Sequence, residues 1–249
     1  MPRPDTEWNE FGKTDPYFGV ITEEKFKGQT LNEKTLNDFF QTGERYIELI
    51  MKEIQDHIYP NFYPKQGIDF GCGVGRLVLP LAKYCNFVFG ADVSQPMLKE
   101  ARENCQKFGV HNVKFVEDIC ELRDSNERFD MIHSYNVFQH ISPRKGLSLA
   151  EVLLDLLTPD GIGILHFPFN CTSFIRTLFS MTMQRVPLAH NFWNLYKKRS
   201  WSYPHMQMNI YNLNAIFGIL KAGGCDLCHS KFFQQGDYET VIIFFRKAK

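Results

Sequence analysis

The stretch GIDFGCGVGRLVLP, residues 67–80, sets a short apolar run directly before three glycines in five positions and a helix-like apolar run directly after them. A loop between a buried strand and a helix N-terminus leaves backbone N–H groups unpaired in a positive end-field, and glycine lets a ligand approach the main chain closely. Anionic or carboxylate-bearing ligands suit such a loop. The spacing departs from the dinucleotide pattern G-x-G-x-x-G: Gly71 and Gly73 fit, but the third place is Arg76 and the extra glycine is Gly75. Asp92 ends the next apolar run, where a carboxylate can accept from both hydroxyls of a ribose. Loop and acid together point to adenosine without saying which cofactor carries it.

Outward from this loop, strand-like and helix-like segments alternate. The runs 67–70, 87–93, 113–116, 129–135 and 161–167 are short and apolar, with helical patterns between them, the rhythm of a parallel sheet buried on both faces. The helix after the fourth run opens at Ser142-Pro143 and stops at Thr158-Pro159-Asp160-Gly161. Residues 168–209 read as a long irregular insertion rich in aromatic residues, 211–222 as a helix, and 225–233 and 240–247 as two last strands. Upstream, 35–59 has helical spacing interrupted by Gly43, predicting one bent helix or two. Residues 1–34 read as an irregular arm whose Trp8, Phe11, Tyr17 and Phe18 need something to cover. Pro80, inside the helix pattern after the loop, predicts a kink. The chain divides into an arm and helical lid over 1–60 and a domain over 61–249 with a substrate cap at about 168–210.

The composition, 44% hydrophobic and 22% charged over 249 residues, suits one globular domain with elaborations. The 28 basic residues balance 28 acidic ones, so no global field draws the chain onto nucleic acid or an anionic membrane. No run reaches the length of a membrane span and the N-terminus lacks a signal-like apolar core, which predicts a cytoplasmic protein. Seven scattered cysteines predict reduced, buried thiols rather than disulfides. CDLCH, residues 225–229, matches the haem-attachment form C-x-x-C-H, but it reads as a strand, whose residues three apart face opposite ways.

Five segments in register resemble the class I S-adenosylmethionine (SAM) dependent methyltransferases, over about 180 residues. They are Asp69-Phe-Gly-Cys-Gly-Val-Gly75, Gly90-Ala-Asp92-Val-Ser-Gln-Pro-Met97, Phe115-Val-Glu-Asp118-Ile119, the run from Phe129 through Ser134 to His140-Ile141, and Leu157-Thr-Pro-Asp-Gly161. The resemblance implies an α/β fold, a three-layer Rossmann-like sheet of seven strands in order 3-2-1-4-5-7-6 with the last-inserted strand antiparallel. It also implies SAM as cofactor, with Asp69, Gly71, Gly73 and Gly75 in the cofactor loop on the methionine and ribose side. Asp92 falls to the ribose hydroxyls, Met97 or Val93 to packing the adenine, Asp118 and Ile119 to its amino edge, and Ser134 to the methionine portion. Arg45, beside Gly43, is a candidate for the SAM carboxylate.

Methyl transfer from a sulfonium is an in-line displacement, so positioning and water exclusion do most of the work and a base is optional. His140 and His205 are the candidate catalytic residues; His140 is equally readable as a strut bracing its loop, and His166 as a core or strand-end residue. Tyr17, Trp193, Trp201 and Tyr203 are candidates for contacting the acceptor, with Arg176, His190, Tyr196 and Met206 as further cap residues. Ser134-Tyr-Asn-Val137 stands where base and amide methyltransferases of the superfamily carry an Asn-Pro-Pro-Tyr-like sequence. That absence and the neutral charge point to a small-molecule acceptor, with no nucleic acid, membrane or metal as partner; the sequence leaves oligomeric state open. A nicotinamide-dependent oxidoreductase and a non-catalytic SAM-fold binding module are the alternatives.

Overall fold

The computed structural model describes residues 4–173, 189–197, 201, 203 and 206–249. Its centre is a seven-stranded sheet in the order β3-β2-β1-β4-β5-β7-β6, the order that the family resemblance implies. The strands are β1 (Gln66–Phe70), β2 (Phe87–Ala91), β3 (Val113–Val116), β4 (Phe129–Ser134), β5 (Leu157–Cys171), β6 (Cys225–Gln235) and β7 (Tyr238–Lys247). The first five pair in parallel, while β7 runs antiparallel between β5 and β6. Buried apolar side chains cover both faces, as continuous strand runs such as Ile68, Val88-Phe89 and Ile162-Ile164-Leu165 require.

One face is covered by α1 (Pro4–Thr14), α2 (Pro16–Val20), α3 (Glu33–His57), α4 (Val78–Leu81) and α5 (Gln95–Lys107). The other carries α6 (Ile119–Arg123), α7 (Pro143–Leu156) and α9 (Leu213–Ala222), while α8 (Ala189–Tyr196) lies in the cap. No helix of the described residues is long and apolar enough to cross a membrane. All seven cysteines are unpaired; Cys72, Cys85 and Cys105 are buried as expected, whereas Cys120 and Cys228 are exposed.

The structure narrows or corrects four local expectations. The arm is helical rather than irregular: Phe11, Tyr17 and Phe18 are buried against the first face, and Gly12 lets α1 approach so closely that a Cβ there would lie 2.8 Å from Ser94 Oγ. α3 is one 25-residue helix started by an Asn32–Thr35 capping box. Its Gly43 packs against the glycine loop, where a Cβ would fall 2.3 Å from the Arg76 carbonyl oxygen. After the glycine loop only four residues are helical, with Pro80 inside them. β5 is longer than its apolar run, beginning at Leu157 and pairing with β7 as far as Cys171, past a register shift at Pro168/Asn170. Apolarity marks only its buried middle.

Candidate active site

The C-terminal ends of β1, β2 and β4 open into a cavity of about 810 Å³, at the point where strand order reverses and α/β sheets receive ligands. Gly71, Gly73 and Gly75 adopt φ of 76°, 53° and 84°, the left-handed region that glycine enters without strain. A Cβ on Gly71 would sit 2.2 Å from Val137 Cγ2, and one on Gly73 2.8 Å from Val20 Cγ2, so neither position has room for a side chain as the loop stands. Asp92 closes the cradle: Oδ2 accepts from Gly73 N and Oδ1 from Ser94 N, both at 2.9 Å. Burial raises its pKa to about 6, against the pull of those two N–H donors. The carboxylate is thus held in place before any ligand arrives.

Next to the cradle lies a second polar cluster. His133 Nδ1 donates to Asp69 Oδ1 at 2.8 Å, with both side chains buried, and His133 Nε2 stands 3.3 Å from the Tyr46 hydroxyl that α3 supplies. Tyr46 and Tyr135 face each other at 4.3 Å between ring centroids, and burial raises both phenol pKa values. Arg76 is buried in the cavity wall. Its Nη1 donates to Thr42 Oγ1 at 3.3 Å, and its Nε has no partner among the described residues. Burial presses its pKa down. A buried guanidinium whose nearest hydrogen-bond partner is a neutral hydroxyl suits an incoming anion.

The cavity wall includes Asp69, Gly71, Gly73, Asp92, Val93, Met97, Asp118, Ile119 and His140 of the residues expected from sequence. Asp118 caps α6, accepting from Cys120 N at 2.8 Å through one carboxylate oxygen. Three cofactor expectations fall elsewhere. Gly75 packs against Ala101; Ser134 is buried with its hydroxyl donated to the Phe70 carbonyl; Arg45 is exposed and donates to Gln41 O within its own helix. Tyr17 is likewise off the wall, its hydroxyl buried 2.6 Å from Glu100 Oε1 and 3.0 Å from Asn104 Oδ1.

Of the cap residues, Trp193 stacks on Tyr196, Trp201 meets Phe192 edge-on and Tyr203 meets Phe11; none of the three is among the described lining residues. His205 and Arg176 lie outside the described residues, as does the side chain of His190.

Residues 68–161 match the family model described as a methyltransferase domain. Residues 68–161 are thus a methyltransferase domain, set in the strand order that the resemblance to class I SAM-dependent methyltransferases implies. It is 32% identical over 164 residues to an uncharacterized RNA methyltransferase of Aquifex aeolicus, covering 63% of this chain and 36% of that protein. It is 34% identical over 100 residues to the cyclopropane-fatty-acyl-phospholipid synthase of Escherichia coli K12, 40% of this chain and 25% of that one. The chain thus spans about a third or less of the length of these curated relatives. Among solved structures, the magnesium protoporphyrin IX methyltransferase of Synechocystis PCC 6803 with bound SAH superposes with a TM-score of 0.65 at 18% identity, covering 98% of each chain.

Within the methyltransferase domain, the far wall of the cavity is where sequence reading is thinnest. His140 ends a short 3-10 turn, Phe138–His140. Its Nδ1 donates to Gln207 O at 2.7 Å, which leaves a lone pair on Nε2 facing the Gln139 amide nitrogen at 3.0 Å. Gln139 Oε1 and Asn136 Oδ1 are buried without partners among the described residues. Asn136 is held at φ 61° while its N–H donates to His166 Nδ1 at 3.3 Å. Burial drives the His166 pKa down to about 3, so this strand residue stays neutral. Trp8 of α1 lines the cavity with its ring against His140, 5.0 Å between centroids. Sequence reasoning missed Arg76, taken only as a misplaced glycine, and Tyr46, Gln139 and Trp8, whose roles arise from contacts between elements distant in the chain.

Proposed function

We propose that this chain transfers a methyl group from SAM to an oxygen or nitrogen of a small-molecule acceptor. The observation that carries the reading is the cradle: Gly71 and Gly73 cannot carry a Cβ, Asp92 is fixed beside them, and the buried Arg76 has a vacant Nε donor. These groups match the parts of a sulfonium nucleoside amino acid. Asp92 takes the ribose hydroxyls, Val93 and Met97 flank the adenine, Asp118 with Ile119 meets its amino edge, and the glycine loop with Arg76 receives the methionine end. Asp69 acts one step back, by fixing His133 and through it Tyr46.

When bound, the cofactor supplies an electrophilic methyl whose leaving group departs in line. The protein's part is then to hold an acceptor opposite it and keep water out. His140 is the proposed base: the Gln207 carbonyl fixes its proton on Nδ1, and an acceptor hydroxyl displacing the Gln139 amide would meet the basic Nε2. Trp8 and helices α1 and α2, which cover the cradle, act as the lid.

An RNA acceptor is the second reading, favoured by the description of the Aquifex relative. The balance of 28 acidic and 28 basic residues and the helices over the cavity support the small-molecule reading over it. The test is label transfer from methyl-labelled SAM into a small-metabolite fraction and, separately, into total RNA. Label in the metabolite fraction alone supports the proposal, and label in RNA alone defeats it.

A further inference from the structure

A second group of reactive side chains lies outside that cavity, where the C-terminal end of α3 meets β6. Glu53 and His57 are four residues apart on α3 and so share one face. His229 reaches them from β6. His229 Nε2 lies 3.2 Å and His57 Nε2 3.6 Å from the same atom, Glu53 Oε2. The other carboxylate oxygen, Oε1, accepts from Lys231 Nζ at 2.6 Å. All three donor atoms fall within 4.8 Å of one another, and the two imidazoles lie nearly parallel with centroids 4.3 Å apart.

Hydrogen bonding accounts for part of this. An N–H···O bond spans about 2.7–3.2 Å, which His229 meets and His57, at 3.6 Å, does not. The two separations bracket, to about 0.1 Å, the distance between neighbouring corners of a metal tetrahedron: with bonds of about 2.0–2.2 Å to nitrogen and oxygen, the corners stand about 3.3–3.5 Å apart. Two imidazoles with one carboxylate select a borderline dication such as Zn²⁺, whereas Mg²⁺ and Ca²⁺ take all-oxygen sets.

We infer that Glu53, His57 and His229 form a Zn²⁺ site, with a fourth position open to solvent on the side of the half-exposed His57. Lys231 orients the carboxylate from its far oxygen, as partners of metal-binding carboxylates do, while its charge weakens the site. The ion joins the end of α3 to the edge strand β6, two elements that the chain separates widely. Because α3 also carries Thr42 and Tyr46 to the methyltransferase cavity, the clamp steadies its roof. The inference does not depend on the proposed acceptor.

The test is zinc titration of the chelator-stripped 249-residue chain against a chromophoric zinc indicator at neutral pH, with Co²⁺ absorption as a reporter of tetrahedral geometry. The expected result is one equivalent bound at micromolar affinity or tighter, with tetrahedral Co²⁺ bands. Affinity should fall at least about tenfold in His57→Ala and in His229→Ala, each checked for folding by circular dichroism without metal. Zinc should raise Tm in the parent and not in His229→Ala, and Lys231→Met should bind as tightly or more so. Because Cys225 and Cys228 are nearby thiols, the Cys225→Ser/Cys228→Ser double variant is the control and should keep its affinity. Absence of stoichiometric binding, undiminished affinity in both histidine variants, or loss in the cysteine variant would overturn the assignment.

Discussion

Replacing Asp92 by Asn separates ligand binding from stability. In the free protein both carboxylate oxygens accept backbone N–H bonds, and burial has raised the pKa from 3.8 to about 6. A group with a raised folded pKa contributes stability that is fully present below about pH 4 and lost as pH rises through 6. Carrying the ionised form at pH 8 therefore costs the free protein about 3 kcal/mol. Asn removes that cost but turns an N–H group toward Gly73 N or Ser94 N, a loss of about 1–3 kcal/mol. The expected free Asp92→Asn protein thus melts at or above the parent temperature at pH 8, and loses that advantage below pH 4. Ligand binding moves the other way. The ribose loses a charged acceptor, so the affinity for S-adenosylhomocysteine (SAH) should fall by about 1–3 kcal/mol, roughly five- to 150-fold. Calorimetry across pH provides a further check: parent affinity should decline below pH 6 as Asp92 takes up its proton, and the variant should not follow that decline. Unchanged SAH affinity in Asp92→Asn at pH 8 would refute the ribose assignment, whatever the melting curves show.

Arg76→Met should weaken SAH binding by about 1.5–3 kcal/mol, while adenosine, which lacks the amino-acid tail, should bind the parent and the variant alike. Equal losses for both ligands would mean that Arg76 supports the wall without meeting a carboxylate. Gly43→Ala places a Cβ 2.3 Å from the Arg76 carbonyl oxygen, so overpacking should cost about 1–3 kcal/mol, read as a lower Tm. A melting curve unchanged from the parent would show that α3 does not press on the loop. Once an acceptor is found, His140→Ala should abolish most turnover with SAH affinity intact; full turnover would make His140 a strut for the Gln207 segment.

The parallel strands were legible because buried strands write themselves as short apolar runs and glycine marks the turn between the first of them and its helix, while their order came only with the resemblance to the SAM-dependent methyltransferases. Asp92 was legible for a related reason: its place follows from strand length and loop spacing alone. Arg76 was not, since its meaning lies in Thr42, Gly43 and Tyr46 of α3, which the chain brings over the loop from some thirty positions upstream. Arg45 and Ser134 lie off the cavity wall for the converse reason. Each stands one position from a residue that faces the site cluster, Tyr46 or Tyr135, and on a helix or strand one position turns a side chain away. The arm read as irregular because Pro4, Gly12, Pro16 and Gly19 look like breakers, whereas Pro16 starts a helix and Gly12 and Gly19 admit Ser94, Met97 and Phe11 at close range.

A crystal structure of the chain grown with SAH addresses the central claim most directly. The adenosine hydroxyls should lie on the Asp92 carboxylate, the adenine between Val93 and Met97, and the carboxylate tail against Gly71–Gly73 and the Arg76 guanidinium. A nucleoside seated outside this cavity, or inside it with its tail directed away from Arg76, would contradict that claim.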